Sequence, residues 1–177
     1  MKDSSPALEF SRPFPVDKLR DKPAREKFEA HARECEALAR RLNLLALKSL
    51  EADLTLTRVQ SMVEVSGSFA AHVVQNCVVT LEPFESNIAE HFLTFFAPAA
   101  PVKDGDMPLE DEHAPEPIPA NGEIDLGELV AQHLSLALDP YPRKPGAVFN
   151  AVEEEDEKPS PFSVLADYRA GKTPKKK

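Results

Sequence analysis

The sequence has no tryptophan, only two tyrosines and two cysteines, and six glycines in 177 residues. Cys35 and Cys77 are too few for a disulfide framework, and a reducing cytoplasm is the simplest compartment for them. No apolar run approaches the ~20 residues that a membrane-spanning helix needs. Met1 to Phe10 lacks the charged-then-apolar order of an export signal, which points the same way. Cations are also scarce, with 21 Lys+Arg against 30 Asp+Glu, so a strongly basic nucleic-acid coat is excluded. The chain shows no glycine-rich phosphate loop, no Gly-x-Ser-x-Gly elbow and no two histidines four apart around a carboxylate. On this reading the protein is not an enzyme and carries no cofactor. What is present is a 42% hydrophobic content, enough for a real core in one domain, and 17 prolines.

Charge and proline are unevenly placed. Residues 97–123 hold one cation, Lys103, against seven acids, together with six prolines. That segment carries -6 of the formal net charge of -9. Like charge and proline both oppose a packed core, so 97–121 reads as a long mobile acidic loop inserted in a single domain, 1–150. The run Glu153 to Glu157 opens a flexible, disordered C-terminal tail, 151–177.

Cys35, Leu38, Ala39 and Leu42 fall at i, i+3, i+4 and i+7, the stripe of an amphipathic helix over roughly 33–43. Before it, Phe28, Ala30 and Ala32 alternate with charged residues, as either a short strand or more helix. Leu50, Ala52, Leu54 and Leu56 mark a half-buried strand, and Leu45 and Leu47, in opposite phase, imply a bulge near Ser49. A longer alternation runs from Val63 through Val65, Phe69, Ala71, Val73, Cys77 and Val79 to Leu81. A third strand spans about 85–96. Asp125 is placed to cap a helix and Glu128 to complete a capping box, with Ile124 and Leu129 as a hydrophobic staple. Leu126, Leu129, Val130, His133, Leu134 and Ala137 share one face, and Asp139-Pro140 stops the helix. The expected fold is α+β: a curved antiparallel, partly barrel-like sheet with two helices.

Three stretches carry a resemblance: Gln75-Asn76-Cys77-Val78-Val79-Thr80-Leu81-Glu82-Pro83, Gly122 to Leu129, and Leu136-Ala137-Leu138-Asp139-Pro140-Tyr141-Pro142-Arg143-Lys144-Pro145-Gly146-Ala147. In this order, across an acidic loop, they resemble the YceD family of bacterial and plastid proteins linked to accumulation of large-subunit ribosomal RNA. The similarity covers about 45–150 and is of alphaproteobacterial type. Pro161 to Leu165 in the tail is similar to the end seen in that group. The resemblance implies a role in ribosome biogenesis rather than a reaction. Many relatives carry a Cys-x-x-Cys pair before Leu-Glu-Pro that looks like a zinc site. Here Thr80 holds the second place and no cysteine follows the last helix, so too few ligands remain and no zinc is expected.

Cys35 and Cys77 read as small buried hydrophobes and His133 as a hydrogen-bonded core histidine. Gln75, among apolar neighbours, either satisfies a local backbone irregularity or makes a polar contact in a groove. The candidate partner-binding residues are Tyr141, Arg143 and Lys144, on a strip held extended by Pro140, Pro142 and Pro145, with Arg40 and Arg41 or a tail motif at Phe162 and Leu165. Two functions are expected as rivals. One is a non-enzymatic factor supporting the accumulation, processing or stability of large-subunit ribosomal RNA, by RNA contact or otherwise. The other is an acidic escort or adaptor that binds a basic ribosomal protein without touching RNA. Neither involves a membrane or a small-molecule substrate.

Overall fold

The computed structural model describes residues 9–20, 22–98 and 115–148. Strand β1 (Pro13–Pro15) passes through a 3-10 turn at Val16–Lys18 to β2 (Ala24–Glu29) and helix α1 (Ala32–Arg41). Three long strands follow: β3 (Ala46–Val59), β4 (Met62–Asn76) and β5 (Pro83–Ala97). Then come β6 (Glu116–Pro117), β7 (Glu123–Asp125) and α2 (Leu126–Ala137). All of these elements fall within one unit that closes at Ala147. The tail, with Phe162 and Leu165, lies outside the described residues.

The main sheet has the order β2-β3-β4-β5-β6, antiparallel except for β6, and a separate pair joins β1 to β7. Alternation along β3 and β4 puts Leu50, Ala52, Leu54 and Leu56 on the same side as Val63, Val65, Phe69, Ala71 and Val73, all buried. Helix α1 adds Cys35, Leu38 and Ala39 to this cluster, and α2 adds Leu126, Leu129, Val130 and Leu134. Both helices therefore cover one face of the sheet, while Asp53, Thr55, Ser66, Ser68 and Ala70 line the other. The expected α+β class, two helices and antiparallel strands are present.

Several expectations need correction or refinement. The sheet is not barrel-like: β2 and β6 stand at opposite edges and do not meet. Two helices already cover its apolar face, so closure is not needed to bury it. The chain at 24–29 is strand, not helix, and pairs with β3 from Ala24↔Leu56 to Glu29↔Glu51. The run from Val63 does not continue as strand to Leu81. β4 stops at Asn76, Cys77 is buried in a turn, and Leu81 is 78% exposed with a φ of 59°. Of the acidic segment, only its ends are described: Glu116 and Pro117 pair beside Phe96 and Ala97, and Ile118 packs on the core. Residues 99–114 lie outside the described residues.

The bulge is where the phase change placed it, between Leu47 and Ser49, and it lets both Leu47 and Leu50 point inward. Gly67 faces Leu54 at the centre of the sheet. A Cβ there would stand 2.3 Å from the Asp53 carbonyl oxygen, so the close approach of the two strands requires glycine. Asp125 Oδ1 accepts the N–H groups of Gly127 (3.0 Å) and Glu128 (3.1 Å), as a cap does. It also accepts the Arg12 N–H at 2.8 Å, which pins the start of α2 to β1. Glu128 does not complete a capping box. Its carboxylate is taken by Arg41 of α1, at 2.7 and 2.6 Å, a stronger charge-assisted partner than a backbone N–H.

Candidate functional site

Two of the stretches singled out in the sequence meet at one end of the sheet. Asn76 ends β4, and Cys77 to Glu82 form a tight knuckle in which the Cys77 N–H donates to the Glu82 carbonyl (2.9 Å) and the Leu81 N–H to the Cys77 carbonyl (2.8 Å). The strip that follows α2 lies against this knuckle, because the Val78 N–H donates to the Pro142 carbonyl at 2.9 Å. The strip begins with a local turn, the Tyr141 N–H donating to Asp139 Oδ1 at 2.8 Å. Opposite stands the turn from α1 into β3, reversed at Asn43 with a φ of 54°.

Between these walls is a cleft of about 570 Å³. Leu44, Leu45, Val78, Leu138 and Pro142 supply its apolar lining, and Asn43, Gln75, Asn76, Ser135 and Asp139 its polar groups. Leu45 is 53% exposed, and Tyr141 beside the cleft is 71% exposed. Gln75 is thus in a groove. Leu45 and Val78 were not among the candidate site residues read from the sequence, where their side chains look like ordinary strand residues. A signal that could have pointed here is the pair of turn-forming sites at Asn43 and at Asp139-Pro140.

The candidate cations divide into two kinds. Arg41 is committed to Glu128 and also reaches Glu9 at 3.3 Å, so it ties α1 to α2. These carboxylates hold the Arg41 pKa above its usual value, and Arg41 holds that of Glu128 below the ordinary carboxylate range. Lys144 pairs with Glu82 at 2.9 Å, across the knuckle. Arg40 and Arg143 are exposed and make no ion pair among the described residues. Tyr141, Arg143 and Lys144 are together on the strip, while Arg40 sits on the far side of the cleft at the end of α1.

Cys77 is fully buried. The Thr80 side chain and the backbone N–H groups of Lys144, Thr80 and Val79 converge on its sulfur and push its pKa down to about 7. The thiol is therefore more than a small hydrophobe. Its charge is met by donors from both the knuckle and the strip, although burial keeps bulky reagents away. Cys35 behaves as expected, its pKa raised chiefly by burial. His133 stacks on Phe92 with centroids 4.0 Å apart, and its Nε2 is 3.2 Å from Thr94 Oγ1. Burial lowers its pKa. Among the described residues no three His, Cys, Asp or Glu side chains gather to hold a metal ion, and no helix is long and apolar enough to cross a membrane.

A family model described as "Large ribosomal RNA subunit accumulation protein YceD" matches residues 65–168, more than half of the chain. The chain belongs to the YceD family. The matched span contains β4 from Val65 onward, the knuckle, β5, α2 and the strip, hence the knuckle and strip walls of the cleft. The opposite wall, at residues 41–45, stands outside the match. No curated protein and no solved structure matches the chain. The family description ties this YceD member to the accumulation of large-subunit ribosomal RNA.

Proposed function

We propose that this YceD protein supports the accumulation of large-subunit ribosomal RNA in the cytoplasm without catalysing a reaction, by holding a ribosomal protein in the cleft between the knuckle and the strip. The observation that carries this reading is the character of the cleft. It is apolar on several sides, offers uncharged amides and one carboxylate, and the one cation in its lining, Arg41, is neutralised by Glu128 and Glu9. Such a lining suits protein side chains, whereas phosphate backbones need unpaired arginine or lysine. The acidic segment at 97–123 adds attraction for a basic ribosomal protein.

A second reading, direct grip on RNA, is favoured by one feature. Tyr141 and Arg143 are exposed on the same proline-held strip, and an aromatic ring beside an arginine can stack on a base and bind a phosphate.

Affinity purification from cells with and without ribonuclease treatment separates the two. The protein reading expects a basic ribosomal protein that survives nuclease, loss of it in Leu45→Asp with Val78→Asp, and lowered large-subunit ribosomal RNA in cells. Recovery of RNA alone, lost in Tyr141→Ala with Arg143→Glu and weakened by salt, would establish the RNA reading instead. Truncation before Pro159 places the Phe162 and Leu165 motif in the same assay.

A further inference from the structure

Strand β5 is fifteen residues long and pairs on one side with β4 along almost its whole length. On its other side β6 meets only Phe96 and Ala97. From Pro83 to Phe95 the outer edge has no backbone partner among the described residues. A row of N–H and C=O groups of this length, unpaired among the described residues, is a template for another strand.

The surface beside that edge is shaped as well as open. On the helix-covered side, Phe92, His133, Leu136 and Ala137 border a recess of about 270 Å³, with Glu90 at its rim. Leu136 is 81% exposed, an apolar group with nothing described above it. Glu90 and Phe92 are two residues apart on one face, so a strand laid along β5 presents alternate side chains to both. Glu85 and Glu90 are the charges of β5, which has no lysine or arginine. Glu85 is engaged by Lys48 and His72, while Glu90 makes no ion pair among the described residues.

We propose that the free edge of β5 is a docking edge for a basic, extended segment of a partner protein. The segment adds as a strand, seats an apolar side chain in the Phe92–His133–Leu136 recess and sets a lysine or arginine beside Glu90. Charge decides the occupant. A second copy laid edge to edge brings Glu85 and Glu90 of both chains together. Residues 99–114 of the chain itself carry Asp104, Asp106, Glu110, Asp111 and Glu112 against one lysine. Both meet like charge, and a basic segment meets opposite charge. The chain's own basic stretch, Arg169 with Lys172 and Lys175 to Lys177, is the competing occupant, and tighter peptide binding after truncation before Pro159 overturns the proposal. The inference rests on the protein-binding reading for the partner's class and adds a second surface to it.

The test uses the full chain and a synthetic ten-residue valine–lysine peptide, Val-Thr-Lys-Thr repeated, which sets valine and lysine two residues apart on one face as Phe92 and Glu90 require. It should bind at low salt, protect β5 amides from hydrogen exchange, and bind at least tenfold more tightly than a valine–glutamate peptide. Methylating every second backbone nitrogen of the valine–lysine peptide should abolish binding, because the pairing donors are gone. Glu90→Lys, and separately Leu136→Ser, should weaken it tenfold or more with an unchanged circular dichroism spectrum. Equal binding by the methylated peptide or by Glu90→Lys overturns the proposal. So does binding that appears only after deletion of 100–114, which makes that segment the occupant, or a concentration-dependent dimer that protects β5. If a basic ribosomal protein survives nuclease and is still retained by Glu90→Lys, the edge assignment fails while the protein reading stands. If only RNA is recovered, both fall.

Discussion

The two long outer margins of the five-stranded sheet, β2 and the stretch of β5 that the two-residue β6 leaves uncovered, are built on opposite principles. β2 is six residues long and alternates Arg25, Lys27 and Glu29 with half-buried side chains. Arg25 is fixed by Asp53 of β3 at 2.8 and 2.7 Å. A short edge set with charges of both signs offers a poor template for an incoming strand. β5 is more than twice as long, with two acids and no base, and a recess opens beside it. Long exposed edges are normally guarded, so this contrast is what the proposed docking along β5 expects.

The largest expected effect comes from breaking the frame that both edges share. Gly67→Val forces a side chain into the Asp53 carbonyl and Leu54, at the join of β3 and β4. A clash with backbone cannot be relieved by a rotamer change. It should cost about 3 kcal/mol or more, read as a lowered urea midpoint, and both edges should lose hydrogen-exchange protection together.

Next is the tie between the two helices. Arg41→Ala leaves the half-buried Glu128 carboxylate without its partner and should cost about 1–2 kcal/mol. The folded pKa of Glu128 is below its unfolded value, chiefly because of the Arg41 hydrogen bonds. The stabilisation is therefore complete above the unfolded carboxylate value of about 4.3 and is lost as pH falls through the folded one. Acid titration of stability should show this loss in the native chain and a smaller one in Glu128→Gln. An equal acid loss in both would remove Glu128 from the account.

The comparison of edges can be sharpened by exchanging their character. Asn87→Lys with Ala89→Lys gives β5 the basic side chains it lacks. Both positions are exposed, so stability should move by about 0.5 kcal/mol or less, while affinity for the valine–lysine peptide should drop about tenfold. Arg25→Ala with Lys27→Ala on β2 should leave that affinity unchanged. If the β2 variant gains or loses binding as much as the β5 variant, the two edges are not functionally distinct.

The smallest effect belongs to Cys77. Its folded pKa is about 7, against about 8.5 for a free thiol, so its contribution to stability is absent below pH 7 and grows as pH rises toward 8.5. In a Cys35→Ala background, thiolate absorbance should titrate near neutrality, and Thr80→Val should move the midpoint upward. A midpoint unmoved by Thr80→Val would show that the backbone donors act alone.

How much of this was legible in advance depended on the distance over which each feature is decided. The β3 bulge was readable because two runs of leucines in opposite phase cannot share a face without an extra residue. The Asp125 cap was readable because its acceptors and donors are three residues apart. Glu128 looked like the partner of that cap, yet Arg41 lies far away in the sequence and outcompetes a backbone N–H. The strand at 24–29 stayed ambiguous because six residues with one aromatic fit either period, and only pairing with β3 decides between them. Tyr141, Arg143 and Lys144 were legible only as parts of a proline-held strip, and the cleft beside that strip is lined by Pro140 and Pro142 instead. Leu45 and Val78, which do line it, carry no local mark of their exposure.

The sequence by itself determined the periodic elements, the turns that end them, the acidic segment and the family. These rest on short-range stereochemistry, on the composition of contiguous stretches and on motifs read in order. Tertiary structure alone decided that the sheet stays open, that two helices cover one face, that the knuckle and the strip enclose a cleft, and which cations are already neutralised. Each of those depends on which distant side chains arrive at the same place. Charge pairing and strand edges exist only once the chain has brought its far parts together.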